Sequence, residues 1–564
     1  MMSTQMVKKL VFFSVALLAL AGCRYTPFLK YYNLDKDTDL PKFNKYSHLS
    51  GGNNGMRSAY DVTQYNWDVA VFPEKKEISG SMEIWMDIVQ NQDTLLFDLS
   101  NHLKLDSVKC REQVIYKRKR DLVYIIFPKE QEAGESIEIT FYYHGKPPNI
   151  LGEGPIVWKE DSYGTPWFST QTEGLGVGSL FPCKDLLIDE PEKCSIRLDV
   201  PEGLKAACNG VLQRTETNKG RTVTEWLVSN SINVYNISFN AGDFVKFQLP
   251  YTDINGVTHE LEFHVLRENE EAARKFYAQT PKVMRASEEL FGEYPWWNDG
   301  LKFVESTFSA MEHQGCIAMG SDYEIDWEEL NTTLVHEIAH EWWGNSITAT
   351  DYSDIWLHEG LATYGESLVA EKLYGYDNYL KYCRNQQYWG IYNKRPIQKV
   401  PNVRYTSWAA HADGDIYNKG AMLMHTLRTQ MDNDELFLRI LKDMQVEFRD
   451  TTISSAEFEA YFIEKCGCNL QAIFDRMLRV AEAPELACSL FISEDKSTAE
   501  LKYRWAEGTP ADYPMKIKFI AGEEEFFIEP KSDAQSIVVP VNVEYKIQPW
   551  LSGYFTTVPF EGKK

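Results

Sequence analysis

Beyond one short apolar stretch near its start, residues 10–20, the chain has little continuous hydrophobicity, and no run in it is long enough to span a bilayer as a helix. Positive charge is scarce as well: 58 Lys and Arg stand against 82 Asp and Glu, a formal net charge of -24. Nucleic acid binding relies on clustered cations that release counterions, so no such partner is expected, and solubility is enough to account for the acidity. Internal repeats and low-complexity linkers are also missing. The ten cysteines lack paired metal-ligand spacing except in Cys466-Gly467-Cys468, which is too close for a usual zinc knuckle. A chain this long folds without cross-links, so no disulfide is assigned and buried apolar thiols are expected.

The N-terminus reads as an export signal, because Lys8 and Lys9 precede an apolar run too short to cross a membrane. That run ends in Leu20-Ala21-Gly22-Cys23, which resembles the lipobox of bacterial lipoproteins, where the signal (residues 1–22) is removed and the cysteine is acylated. The resemblance implies a lipid anchor on Cys23, a tether over residues 23–54 and a place in the bacterial cell envelope. Each buried acyl methylene contributes about 0.8 kcal/mol, so two or more chains hold a soluble body durably.

The length suggests several domains. Residues 55–248 carry short alternating runs such as Trp67-Asp68-Val69-Ala70-Val71, broken by Gly, Pro and Asn, and predict a β-rich domain. From about residue 249 to 486 the period becomes helical, with helices expected over 272–290, 328–343, 354–374, 417–431, 434–448 and 455–466. Alternation returns over 487–564, which predicts a small β-sandwich.

Chemistry concentrates in His336-Glu337-Ile338-Ala339-His340. Two His four apart project from one helical face and can hold one ion. A hydrolytic zinc takes three protein ligands and keeps one position for water, so a third donor is required. Glu359, in Trp356-Leu357-His358-Glu359-Gly360, supplies it after a turn. Glu337 is then placed to serve as general base toward the water. The pattern alone also occurs on solvated helices, but Leu334, Val335, Ile338 and Ala339 bury this one and leave the polar residues on a common side. His358 is expected as a supporting or surface residue, since its neighbour position points about 100° away.

At this point the chain resembles the aminopeptidase N family of zinc metallopeptidases, the gluzincins that include leukotriene hydrolase. The match comprises residues 336–345 and 356–362, with the family's spacing to the third ligand. It also includes Ser309-Ala310-Met311-Glu312-His313 where the family has Gly-Ala-Met-Glu-Asn, Thr170-Gln171-Thr172-Glu173 upstream, and Tyr417-Asn418-Lys419-Gly420-Ala421 downstream. The resemblance implies one zinc per chain. It further implies that Glu312 and Glu173 bind a substrate's free amine, with Gln171, Ala310 and Met311 lining the same pocket, and that Tyr417 stabilises the tetrahedral intermediate. Ser309 and His313 depart from the family pattern. The implied fold is multidomain α+β: a β-saddle N-terminal domain, a thermolysin-like, mainly helical catalytic domain and a small C-terminal β-sandwich. The implied activity is removal of N-terminal residues from peptides. Two other readings remain at this point, a zinc endopeptidase with an open cleft and a degenerate peptide-binding surface lipoprotein. Asp354 is a candidate to orient a ligand.

The lipobox leads to a direct test. A Cys23→Ser variant is expected in the soluble fraction or with its signal uncut, and an unacylated parent in mass spectrometry would end the lipoprotein reading.

Overall fold

Alternation in Tyr60–Phe72 buries Tyr65, Trp67, Val69 and Val71 on one face of a strand. The computed structural model describes residues 52–149, 154–173, 175–399, 414–541 and 543–560. The export signal, Cys23 and the tether up to residue 51 lie outside them. The strand is central to a seven-stranded sheet ordered Val211–Asn218, Arg221–Val228, Lys193–Pro201, Tyr60–Phe72, Glu77–Ile88, Ser136–Gly145 and Leu103–Cys110. Its pairing with Lys193–Pro201 is parallel and its pairing with Glu77–Ile88 antiparallel. A three-stranded sheet and a four-stranded sheet complete this β-rich domain. Inside it Arg57 meets Asp98 at 2.6 Å, both buried, so removing either partner would strand a charge in the core.

A second region opens with a five-stranded sheet ordered Phe244–Thr252, Thr258–Leu266, Leu301–Glu305, Cys316–Met319 and Ala310–Met311. The helix expected over 272–290 is two, Glu270–Tyr277 and Thr280–Phe291, because Pro281 lacks the N–H that a continuous helix would need. The helix expected over 328–343 is shorter, Thr332–Ala339. The Asn331 side chain caps its start by accepting from Leu334 N at 2.7 Å. Beyond its end the chain folds back through Gly344, whose φ of +125 favours glycine.

Trp356–Tyr374 and Asp415–Met431 pack together at their glycines. A Cβ added to Gly360 would lie 2.8 Å from the Gly420 Cα, and one added to Gly420 would lie 2.7 Å from the Gly360 Cα. This backbone contact sets Glu359, next to Gly360, beside the turn that carries Tyr417.

The C-terminal region forms a four-stranded and a three-stranded sheet from residues 485–559. It braces the Asp415–Met431 helix: His425 Nε2 lies 2.8 Å from the Trp550 carbonyl, and Tyr554 N donates to Thr426 Oγ1 at 2.9 Å. Contrary to the expectation of no disulfide, Cys466 and Cys468 are bonded at the end of Ser455–Cys466, where Gly467 adopts a φ of 64° and turns the chain back on itself. Cys194, Cys208, Cys316 and Cys383 are buried free thiols, and Cys183 is buried as well. Among the described residues no helix is long and apolar enough to cross a membrane.

The glycine contact sets an expectation. Gly420→Ala should lower the melting temperature, because overpacking costs about 1–3 kcal/mol and outweighs the roughly 1 kcal/mol that alanine adds to helix propensity. An unchanged or raised melting temperature would show that the helices can separate freely here.

Candidate metal centre

His336 and His340 stand one turn apart on the Thr332–Ala339 helix and its C-cap, and their Nε2 atoms converge to 2.9 Å. Glu359, in the first turn of Trp356–Tyr374, brings Oε2 to 3.3 Å from His336 Nε2 and 3.4 Å from His340 Nε2. The other ring nitrogens are engaged. His340 Nδ1 is 2.8 Å from the Trp343 carbonyl, which can only accept, so Nδ1 carries the proton and Nε2 offers a lone pair. His336 Nδ1 lies 2.8 Å from Glu366 Oε1, which also receives the Tyr382 hydroxyl through its second oxygen. Two imidazole nitrogens and a carboxylate oxygen facing inward require a cation between them. A proton can play that part: burial opposes charge on His336, but Glu359 and Glu366 raise its pKa well above the ordinary value. The spacing also fits zinc, since ligands roughly 2.0–2.2 Å from a tetrahedral ion stand on the order of 3.3 Å apart. The residues present therefore suit the group, and the three sequence-predicted ligands come together.

Glu337 is buried, and its Oε2 has no hydrogen-bond partner. Burial pushes its carboxyl up to about 8, against the opposing charges of His336 and His340. One oxygen each from Glu337 and Glu312 lies within 4.8 Å of the other and of a His340 nitrogen. Such a carboxylate is ready to take up a proton.

Glu312 follows the edge strand Ala310–Met311 and is buried. Its Oε1 accepts from the Tyr235 hydroxyl at 3.2 Å, and its backbone carbonyl accepts from Asn345 Nδ2 at 2.9 Å. Asn345 Oδ1 in turn accepts from Asn236 Nδ2 at 2.8 Å, so the β-rich domain holds the Glu312 turn from behind. Met311 is buried, while Ala310 and Gln171 are half-buried. Tyr417 remains 36% exposed, with its ring centroid 5.8 Å from that of His336. Burial of its hydroxyl and the charges of Glu359, Glu173 and Glu312 raise its pKa well above the phenol range, so it is a hydrogen-bond donor. Glu173 acts on Tyr235 in the same way, which sets it beside the same cleft. His313 is buried, and burial pushes its pKa down to about 3, leaving it neutral.

Of the two roles expected of His358, the supporting one holds: it is fully buried and its Nε2 accepts from Ala349 N at 2.8 Å, fastening the loop before the Glu359 helix. One expectation changes. Asp354 does not orient a ligand. Its Oδ1 accepts from Ser455 Oγ at 2.5 Å and Gln398 Nε2 at 2.9 Å, because Tyr352–Asp354 turns it toward the Ser455–Cys466 helix. Glu366 takes that role, unforeseen from the sequence although its place seven residues after Glu359 puts it on the same helical face. Tyr235 carries no local sequence signal.

The profile of the Peptidase family M1 domain matches residues 276–477, and that of the Peptidase M1 N-terminal domain matches residues 62–235. The chain belongs to peptidase family M1, and zinc is the cofactor that this membership implies. Aminopeptidase RNPEPL1 of Homo sapiens is 27% identical over 263 residues, 44% of this chain and 33% of its own length. Aminopeptidase B of Rattus norvegicus is 24% identical over 363 residues, 60% of this chain and 52% of its own length. The chain thus spans a third to about half of these curated relatives. In fold it is similar to the M1 zinc metallopeptidase of Deinococcus radiodurans, with a TM-score of 0.64 and 20% identity over 76% of this chain and 95% of that one. This agrees with the expected β-rich, helical and β architecture.

The hydrogen bond from His336 to Glu366 can be tested directly. Glu366→Ala should weaken zinc binding about 10–100-fold in competition with a chromogenic chelator. An unchanged zinc affinity would show that Glu366 does not hold the ring.

Proposed function

We propose that this chain is a zinc-dependent aminopeptidase that removes N-terminal residues from peptides. The observation that supports it best is Glu312, a buried carboxylate beside Glu337 and His340 that a peptidase of internal bonds would not need. Zinc held by His336, His340 and Glu359 would polarise the scissile carbonyl and acidify a water molecule. Glu337 accepts the proton from that water through its unpartnered Oε2 and passes it to the departing amine as the C–N bond breaks. The Tyr417 hydroxyl donates a hydrogen bond to the oxygen on which negative charge develops. Glu312 and Glu173 accept hydrogen bonds from the substrate ammonium, which puts the first peptide bond in register with Glu337. The lipobox at residues 20–23 further supports an envelope-bound enzyme acting on peptides outside the cytoplasm.

Glu312→Ala is expected to lose ten- to several hundredfold in kcat/KM on free-amine peptides, by the roughly 1.5–3 kcal/mol of a charge-assisted hydrogen bond, with zinc content unchanged. The parent should leave N-acetylated peptides intact. Equal cleavage of free and acetylated peptides would overturn the aminopeptidase reading while leaving the zinc site standing.

A further inference from the structure

Near the start of the helix that carries Tyr417, an exposed aromatic cluster is built from two regions of the chain. Trp389 is 65% and Tyr392 61% exposed, far more than such side chains usually are in a folded interior or cleft. The Tyr388 ring lies 5.0 Å from that of Trp389 and 5.7 Å from that of Trp550, and Trp389 and Trp550 are 6.2 Å apart. Tyr554 of the C-terminal region packs against Tyr388 at 5.6 Å, and the Arg384 guanidinium covers Trp550 at 4.8 Å. Scattered exposed rings need no explanation, but a contiguous edge-to-face cluster with Trp389 open at its surface, and a second exposed ring at Tyr392 three residues on, does.

The cluster is firmly mounted. Tyr388 donates its hydroxyl to the Phe555 carbonyl at 3.0 Å, and the backbone N–H groups of Tyr392 and Asn393 donate to Asp415 at 2.7 and 2.8 Å. Gly390 presses on the residue after Tyr417: Asn418 Nδ2 donates to its carbonyl at 3.3 Å, and a Cβ at Gly390 would lie 2.2 Å from that nitrogen. The backbone between Trp389 and Tyr392 is therefore held against the helical turn that carries Tyr417.

This position bears on the part of a peptide that lies beyond the cleaved bond. A peptide with its ammonium on Glu312 and Glu173 and its first carbonyl at Tyr417 has to lead its remaining residues out past Tyr417. Each extended residue advances about 3.3–3.6 Å, so the second and third residues beyond the bond lie roughly 7–11 Å farther on. We propose that Trp389 and Tyr392, backed by Tyr388 and Trp550, form a stacking shelf for those residues, and that the enzyme selects peptides carrying an aromatic side chain there. The shelf is a specificity element and takes no part in bond breaking. The inference rests on the aminopeptidase reading, which supplies the direction of the bound peptide.

The test uses the zinc-loaded full chain and three substrates that share the first residue cleaved fastest. Two are tetrapeptides with phenylalanine or serine at the third position, and one is the corresponding aminoacyl amide, which releases only ammonia. The parent should favour the phenylalanine peptide by about fivefold or more in kcat/KM, the size expected of one aromatic pair. Trp389→Ala should reduce that preference to near unity and leave hydrolysis of the amide within about twofold of the parent, and Tyr392→Ala should act in the same direction. Equal loss on all three substrates, or an unchanged preference, would overturn the shelf while leaving the aminopeptidase in place. A change in oligomeric state on size exclusion without a change in preference would make the cluster a self-association face and also overturn it. If the parent cleaves none of the three, the underlying reading falls and the shelf falls with it.

Discussion

Inward-facing negative charge and lone pairs govern this molecule. Two imidazole nitrogens, the Glu359 carboxylate and the carboxylates of Glu337 and Glu312 meet in a buried space. Burial penalises each charged form, and their mutual repulsion adds to that cost. Only a cation among them makes the arrangement favourable, and the same repulsion creates an attractive place for a substrate ammonium. In the proposed function, the features that would bind metal and those that would select a free N-terminus are thus parts of one electrostatic problem.

The solution draws on the whole chain. The β-rich domain contributes Tyr235 and Asn236, which hold the Glu312 turn against Asn345. The helical region contributes the proposed ligands on two helices, and the close approach of Gly360 and Gly420 sets the second of these against the helix that carries Tyr417. Among the described residues the C-terminal region contributes none of the proposed ligands, yet through Trp550, Ser552 and Tyr554 it grips the far part of the Asp415–Met431 helix that carries Tyr417. A buried site with this many polar groups depends on such support, because a small displacement of any one donor leaves another unpaired.

Much of the centre is legible in the sequence because it is local. His336, Glu337 and His340 lie within one turn and a half of a helix, and the helical period alone decides which of them share a face. Glu359 comes soon after, and its neighbours in sequence carry the family resemblance. The cap at Asn331 and the break before Pro281 are likewise consequences of short-range chemistry. By contrast, Glu366 fills the role expected of Asp354, since proximity in sequence does not say which way a turn will aim a side chain. The Cys466–Cys468 bond is hidden for another reason: its two-residue spacing matches no familiar metal or disulfide pattern.

The sequence by itself determined the residue types, the helix that pairs the two histidines, the alternating strands on either side of it and the family to which the chain belongs. These depend on periodicity and spacing, which act over a few residues. The tertiary structure alone decided that Tyr235 would reach Glu312, that Glu366 would fasten His336, that the Gly360 and Gly420 backbones would touch and that Asn418, next to Tyr417, would meet Gly390, next to the open Trp389. Those contacts join segments about thirty to eighty residues apart, and they arise from how whole sheets and helices pack, which no local pattern records.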